Sequence, residues 1–160
     1  MARAWDARAT RFDAGKWVQA VVDAGAKYCV LTTRHCLDFC IFETAQTDYK
    51  SNRDYTREVV DACRRSGISF TAYCPLITDP YIHMTGMRIE GGGIPGEGFG
   101  NWREHMQEHN RIFTAWLEEL VQQYEPDAFW FDCWGGMEKE MVAAGVEPLE
   151  LFDFERLWAP

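Results

Sequence analysis

The sequence is short of basic residues and has no long apolar run. Its 16 Lys and Arg stand against 25 Asp and Glu, which gives a formal net charge of −9. Nucleic-acid backbones are bound by clustered Lys and Arg, so this balance argues against a nucleic-acid partner. No segment approaches the roughly 20 apolar residues that a membrane-spanning helix needs, and no apolar core of a secretory signal is visible at the N-terminus. We therefore expect no membrane partner and favour a cytoplasmic location.

Two further features are missing, a disulfide framework and a phosphate-binding loop. The 6 cysteines are scattered, and those inside apolar runs should behave as small hydrophobic residues in a reducing compartment; these are Cys29, Cys74 and Cys133. The glycine-rich stretch at 91–100 lacks the Lys-Ser/Thr ending of a P-loop, which argues against nucleotide binding. His35, Cys36 and Cys40 leave open a zinc-binding protein, although no second cluster of ligands accompanies them.

Aromatic residues are abundant, at 14% of the chain and including 7 Trp. Their flat apolar faces and polar edges suit a buried core, and they also suit platforms on which sugar rings stack. Composition alone favours core packing.

The chain repeats one pattern, an amphipathic helix followed by a short apolar strand. Asp13 and Asn101 are candidate helix N-caps, and Gly25 and Gly67 are natural helix ends. The predicted helices and strands alternate as helix 13–25, strand 27–33, helix 53–67, strand 68–74, helix 101–125 and strand 127–133, with weaker helices at 137–144 and 149–157. This alternation predicts an α/β protein with parallel strands, either an open doubly wound sheet or a (β/α)₈ barrel. In both folds chemistry gathers at the carboxyl ends of the strands.

Asp132 is the sharpest single signal at these strand ends. It closes a strand of Phe and Trp, and a carboxylate in apolar surroundings is costly unless it is paired or used. Two structural alternatives remain: Asp132 could cap a following helix, or it could pair with Arg34.

Linked segments of the chain resemble the α-L-fucosidases of glycoside hydrolase family 29. The similar stretches are Phe-Asp-Ala-Gly-Lys-Trp-Val at 12–18, the run through Thr-Thr-Arg-His at 32–35, Ala-Cys-Arg-Arg-Ser-Gly-Ile-Ser-Phe at 62–70 and Leu-Glu-Glu-Leu through Phe-Trp-Phe-Asp at 117–132. The resemblance covers about 10–75 and 100–135. It implies a (β/α)₈ TIM-barrel-like catalytic domain, retaining hydrolysis of terminal α-L-fucose from glycans, and no metal or other cofactor.

The resemblance also implies roles for individual residues. Asp132 matches the catalytic nucleophile of the family, and Trp130 should share its face of the strand because strand side chains alternate. His35 matches the first His of a sugar-binding His-His pair, and Tyr73 resembles a tyrosine of the pocket. The family's His-His-Asp-Gly-Phe reads His-Cys-Leu-Asp-Phe at 35–39, so the second His is absent and the acidic residue has moved one place. We expect Asp38 to supply part of the sugar recognition of this loop. Trp134 is a further candidate sugar contact.

Retaining glycosidases need a second carboxyl group about 5–5.5 Å from the nucleophile. Glu97 and Glu138 are the candidates for this acid/base. A (β/α)₈ barrel typically takes about 250 residues, so the 160 residues predict one partial catalytic domain spanning 1–160. An open sheet edge would then favour self-association. The alternative is a non-catalytic carbohydrate-binding or vestigial α/β module in which Trp130, Trp134 and Tyr73 form the platform.

Overall fold

The computed structural model describes residues 2–35, 39–75 and 102–132, without the side chains of Ala2 and of 102–110. Within these ranges helices and strands alternate as predicted, which confirms an α/β architecture. The elements are α1 (Ala2–Arg8), α2 (Ala14–Asp23), β1 (Tyr28–Thr32), α3 (Tyr55–Ser66), β2 (Ser69–Pro75), α4 (Trp102–Tyr124) and β3 (Ala128–Asp132). The predicted helices at 137–144 and 149–157 and the glycine-rich stretch lie outside the described residues.

The helix ends follow from local side-chain chemistry. The Asp13 carboxylate accepts a hydrogen bond from the backbone N–H of Lys16 at 3.1 Å, as expected of the N-cap of α2. Asp54 caps α3 in the same way, accepting from the Arg57 N–H at 2.8 Å. Gly67 ends α3 with a φ of +66°, a left-handed conformation that glycine adopts without steric cost.

Helix α1 is the one described element that the sequence pattern did not predict. Its Trp5 packs against Phe39 and Tyr55, with ring centroids 5.5 and 6.4 Å away. Its Asp6 accepts hydrogen bonds from the Asn52 side chain at 2.7 Å and from the Tyr55 hydroxyl at 3.2 Å. Contacts with residues distant in sequence therefore hold this short helix, and a local pattern does not reveal them.

The described strands form a parallel sheet in the order β1-β2-β3. Thr32 of β1 pairs with Tyr73 of β2, which pairs with Trp130 of β3. One step further along, Pro75 pairs with Asp132. Because the strands are parallel and in this register, their carboxyl ends meet at one edge of the sheet.

The two faces of the sheet differ in what covers them. The helix-covered face packs against α2, α3 and α4 in one hydrophobic core, whose strand members are Cys29, Leu31, Phe70, Ala72, Cys74, Phe129 and Phe131. The opposite face, called the open face below, carries Tyr28, Val30, Tyr73, Trp130 and Asp132. Tyr28 is 58% exposed and Trp130 is 52% exposed. All the core helices therefore lie on one side of the described sheet.

The segment 39–54, between β1 and α3, is fixed to α4 by hydrogen bonds over long sequence distances. The Tyr124 hydroxyl accepts from the Glu43 N–H at 2.9 Å and donates to Asp54 at 2.8 Å. Glu119 accepts from the Ala45 N–H at 3.0 Å. The part of the chain that the structure describes contains no helix long and apolar enough to cross a membrane.

Candidate functional site

The predicted site residues that the structure describes gather at the carboxyl edge of the sheet. Tyr73, Trp130 and Asp132 lie on the open face, and His35 follows the end of β1. Asp38 and Trp134 lie outside the described residues, as do Cys36, Glu97 and Glu138.

A short hydrogen bond joins Tyr73 to Asp132. The Tyr73 hydroxyl donates to Oδ2 of Asp132 at 2.6 Å. The parallel register makes this bond possible, because Asp132 pairs with Pro75, two residues beyond Tyr73 on the same face. A hydrogen bond to a carboxylate is charge-assisted and stronger than one between neutral groups. The bond therefore holds the carboxylate in one orientation.

Asp132 is exposed, contrary to the apolar surroundings suggested by its strand sequence. The reason is the alternation of β3: Phe129 and Phe131 pack on the helix-covered face, whereas Trp130 and Asp132 point to the open face. The prediction that Trp130 shares the face of Asp132 is confirmed.

The ring of His35 stacks on the ring of Tyr73. Their centroids are 6.1 Å apart and their planes differ by 14°. Thr33 fixes this end of β1, since its N–H and its hydroxyl both donate to the Tyr73 carbonyl, at 3.2 and 3.0 Å. An imidazole, a phenol and a carboxylate are thus brought together from three strands.

Trp130 offers an exposed aromatic surface in the same row. It lies beside Tyr73 in the sheet register and is 52% exposed. Large exposed aromatic rings beside hydrogen-bonding groups suit sugars, which present both apolar C–H faces and hydroxyls.

The sequence suggests Arg34 only as an ion-pair partner of Asp132. Among the side chains that the structure describes, it is the largest fully buried one, 1% exposed. Its Nη2 donates to the Pro75 carbonyl at 2.6 Å. Its guanidinium stacks over Trp116 and Phe113 of α4, with Cζ 4.6 and 5.3 Å from the ring centroids. The residues in these contacts are 41 to 82 positions apart in the sequence. The only sequence signal related to them is the apolar face of α4, which does not identify Arg34 as its partner.

Two thiols near the site, those of Cys40 and Cys74, are buried. Burial raises the pKa of Cys74, although the charge of Arg34 and a hydrogen bond with Thr33 act in the opposite direction. The thiolate is the form that attacks or binds metal, so Cys74 suits packing. Cys40 is fully buried, and among the described residues no group of three His, Cys, Asp or Glu side chains could hold a metal ion.

A separate groove of about 340 Å³ lies between α2 and α3. It is lined by Phe12, Asp13, Ala14, Gly15, Arg53, Glu58, Asp61 and Arg65, and none of the predicted site residues line it. Arg53 and Glu58 within it form a two-point ion pair at 2.5 and 2.6 Å.

The family model and the sequence relatives that this chain matches are all α-L-fucosidases. The model of the α-L-fucosidase family matches residues 1–152. Alpha-L-fucosidase 1 of Arabidopsis thaliana is 26% identical over 146 residues, which cover 86% of this chain and 28% of that protein. Tissue alpha-L-fucosidase of Bos taurus is 28% identical over 127 residues, 76% of this chain and 25% of that protein.

Solved structures agree with these sequence relatives. An alpha-L-fucosidase GH29 from Bacteroides thetaiotaomicron superposes with a TM-score of 0.65 at 25% identity, covering 90% of this chain and 33% of that one. The Thermotoga maritima alpha-fucosidase in complex with fucose gives a TM-score of 0.58 at 26% identity, covering 76% of this chain and 28% of that one. The chain therefore spans between a quarter and a third of the length of these relatives.

Proposed function

Because this chain belongs to the α-L-fucosidase family, we propose that it is part of the catalytic domain of a retaining α-L-fucosidase that removes terminal fucose from glycans. The observation that carries the proposal is the 2.6 Å hydrogen bond from Tyr73 to Asp132 at the carboxyl edge of the sheet. Nucleophile and orienting donor stand there beside an exposed aromatic ring.

We propose further that β1, β2 and β3 are successive strands of a (β/α)₈ barrel, with residues 1–160 forming one partial domain. Two observations support a barrel over an open doubly wound sheet. The strands lie side by side in chain order, and α2, α3 and α4 all pack on one face, whereas a doubly wound sheet has helices on both faces. In a barrel, the open face lines the interior.

In the proposed reaction Asp132 attacks the anomeric carbon of fucose. The C1–O bond of the glycoside breaks as the bond between Asp132 and C1 forms, and an acid protonates the leaving oxygen. Water then hydrolyses the glycosyl-enzyme, with the same acid acting as base. The Tyr73 hydroxyl holds the carboxylate in place before attack. It also stabilises the negative charge when the carboxylate is released.

The second carboxyl group of this reaction stays a prediction. Glu97 and Glu138 are its candidates. The carboxyl group that serves as acid/base has to lie about 5–5.5 Å from Asp132, the separation typical of retaining enzymes.

Sugar binding is proposed for the groups around Asp132. The exposed ring of Trp130 suits the apolar side of fucose. The imidazole of His35, stacked on Tyr73, can donate to or accept from a sugar hydroxyl. Asp38 and Trp134 are proposed as further contacts on the strength of the sequence.

The direct test is release of nitrophenol from 4-nitrophenyl α-L-fucoside by the full chain and its Asp132→Ala variant. We expect turnover by the unmodified chain and none by the variant. Added azide should restore nitrophenol release in the variant, because a small anion can replace the missing nucleophile. Asp23→Ala is the matched control, since Asp23 lies on the outer surface of α2, where it accepts from Gln19 at 2.8 Å. A folded chain without turnover, in the presence or absence of Asp132, would overturn the enzyme proposal.

A non-catalytic carbohydrate-binding module is the second candidate. It is favoured by the extent of exposed apolar surface on the open face, where Tyr28, Val30 and Trp130 are 58%, 37% and 52% exposed. Calorimetric titration with L-fucose separates the candidates. A module should bind fucose without hydrolysing the nitrophenyl fucoside, and its affinity should fall in Trp130→Ala but not in Asp132→Asn.

Self-association through a sheet edge also stays a proposal. Within the described sheet β1 and β3 each pair with β2 alone, and free strand edges favour pairing with another chain. Sedimentation velocity over a range of protein concentrations tests it: a sedimentation coefficient independent of concentration would contradict it.

A further inference from the structure

We propose that Arg34 is a positioning residue of this site, which sets the relative placement of Tyr73 and Asp132 from beneath the sheet edge. The inference rests on the proposed function for its catalytic consequence. Its geometric part concerns three elements that one buried side chain connects: the end of β1, the end of β2 and the helix that leads into β3.

The backbone of Arg34 is fixed at the end of β1. The carbonyl of the preceding Thr33 accepts from the Ile41 N–H at 3.0 Å, and Arg34 itself forms an antiparallel bridge with Cys40. On the other side, Thr33 binds the Tyr73 carbonyl through its N–H and its hydroxyl. The backbone that carries the Arg34 side chain is therefore hydrogen-bonded to β2, the strand that contains Tyr73.

The guanidinium then fixes the end of β2. Nη2 of Arg34 donates to the Pro75 carbonyl at 2.6 Å. Pro75 is the register partner of Asp132 and lies two residues after Tyr73. This hydrogen bond thus holds the point of β2 that faces Asp132.

The flat side of the guanidinium fixes α4 and, through it, β3. It stacks over Trp116 at 4.6 Å and over Phe113 at 5.3 Å. Phe113 in turn contacts Phe131, with ring centroids 6.3 Å apart. Phe131 is the neighbour of Asp132, so one set of packed side chains runs from Arg34 to the strand end that carries the carboxylate.

Burial of this cation has a clear physical consequence. Taking a guanidinium out of water is unfavourable unless its contacts are well formed, so a 1% exposed Arg34 tolerates little displacement. Its planar fork allows stacking and hydrogen bonding at once, which a Lys ammonium does not. Misplacement of reacting groups by about 1 Å can cost about 10²-fold in rate.

Arg57 provides a matched control. It too stacks on an aromatic ring of α4, 4.5 Å from the centroid of Tyr124, and it too donates to a backbone carbonyl, that of Gln123. It connects α3 to α4, away from the strand ends. Loss of Arg57 removes the same kinds of contact without touching the site.

The experiment compares Arg34→Met, Arg34→Lys and Arg57→Met in the full chain. The first readout is the ¹³Cζ resonance of Tyr73 in protein labelled at the tyrosine ring, assigned by its absence in Tyr73→Phe. Asp132→Ala gives the reference position without the carboxylate acceptor. We expect Arg34→Met to move the resonance towards that reference, Arg34→Lys to move it part of the way, and Arg57→Met to leave it in place.

The second readout is turnover of 4-nitrophenyl α-L-fucoside. We expect kcat to fall about 10²-fold in Arg34→Met, with a much smaller change in KM, and neither to change in Arg57→Met. A Tyr73 resonance that stays in place in Arg34→Met, or moves equally in Arg57→Met, would overturn the proposal. If Arg34→Met does not fold, Arg34→Lys decides by the same criteria. A wild-type chain without turnover or fucose binding would overturn the proposed function, and the Tyr73 resonance would still decide whether Arg34 sets the geometry.

Discussion

Two tyrosine–aspartate hydrogen bonds among the described residues are alike in chemistry and opposite in surroundings. Tyr124 donates to Asp54 at 2.8 Å within the helix layer, and Tyr73 donates to Asp132 at 2.6 Å on the open face. Tyr124 is fully buried, whereas Tyr73 is half-buried and its acceptor Asp132 is exposed.

The buried pair also binds backbone groups of the helix layer. Asp54 also caps α3, and the Tyr124 hydroxyl also accepts from the Glu43 N–H. The buried pair therefore satisfies backbone groups that would otherwise be costly to leave unpaired. Tyr73 and Asp132 stand where water can reach the carboxylate, so folding gains little from their bond. The role proposed for this bond is to orient the carboxylate towards a ligand.

The covered face should be sensitive to truncation in a way that the open face is not. Leu120→Ala removes a fully buried side chain from the core, and we expect a loss of about 2–5 kcal/mol in the free energy of unfolding. The neighbouring Val121 is 50% exposed, so Val121→Ala should change it by less than about 0.5 kcal/mol. Urea unfolding measures both. Equal losses would contradict the assignment of the core to this side of α4.

Substitution of Tyr124 should affect mainly stability, and substitution of Tyr73 should affect mainly function. Tyr124→Phe leaves the Glu43 N–H and the Asp54 carboxylate without their buried partner, and we expect a loss of about 1–3 kcal/mol. Tyr73→Phe should cost less, about 0.5–1 kcal/mol, because water can reach the carboxylate, while it lowers turnover or fucose affinity. Thermal melts and calorimetric titration on the same samples distinguish them. A large stability loss in Tyr73→Phe would mean that both pairs are structural.

The helix-covered side should also carry an alkaline dependence of stability. Burial, reinforced by Cys29 and Asp127, raises the pKa of Cys63 to about 12 from an ordinary 9.0. Between these values the unfolded chain has lost the thiol proton and the folded chain has kept it. Stability is therefore intact below pH 9 and falls as the pH rises, by at most about 1.4 kcal/mol per pH unit.

The measurement is urea unfolding under reducing conditions from pH 8 to pH 11. Cys63→Ala should remove this part of the slope, whatever its effect on stability at pH 8. Tyr124, whose pKa burial also raises, contributes to both proteins and cancels in the difference, whereas the Cys29 thiol, which forms a hydrogen bond with Cys63, changes with it. Identical slopes would show that Cys63 ionises in the folded protein as it does in the unfolded chain.

A smaller loss of stability is expected on the open face. Trp130→Ala removes a ring that is 52% exposed, and the free energy of unfolding should fall by about 1 kcal/mol, because part of the ring is buried. Fucose affinity should fall in the same variant. An unchanged fucose affinity would contradict the proposal that the sugar stacks on the exposed ring of Trp130.

The order of elements could be predicted from local patterns because the signals are themselves local. Asp13 and Gly67 mark helix ends by capping chemistry, and the alternation in β3 places Trp130 with Asp132. The hydrogen bond from Tyr73 to Asp132 could not be predicted in this way. It depends on the register between β2 and β3, which local sequence patterns do not reveal.

Arg34 shows where sequence reasoning stops. The sequence suggests it only as a counter-ion for Asp132, yet its contacts include a backbone carbonyl of β2 and two rings of α4. Nothing near residue 34 in the sequence distinguishes a surface arginine from a buried one. Its position is decided by packing between elements that are far apart along the chain, and the same is true of α1.

The hydrogen bonds from α4 to segment 39–54 determine an order of events during folding. Glu43 and Tyr124 are 81 residues apart, and Glu119 and Ala45 are 74 apart. Closing loops of this length costs entropy before any contact compensates for it. During synthesis, the contacts between segment 39–54 and α4 cannot form until Glu119 and Tyr124 have been added to the chain, whereas the Asp54 cap of α3 is local and can form earlier.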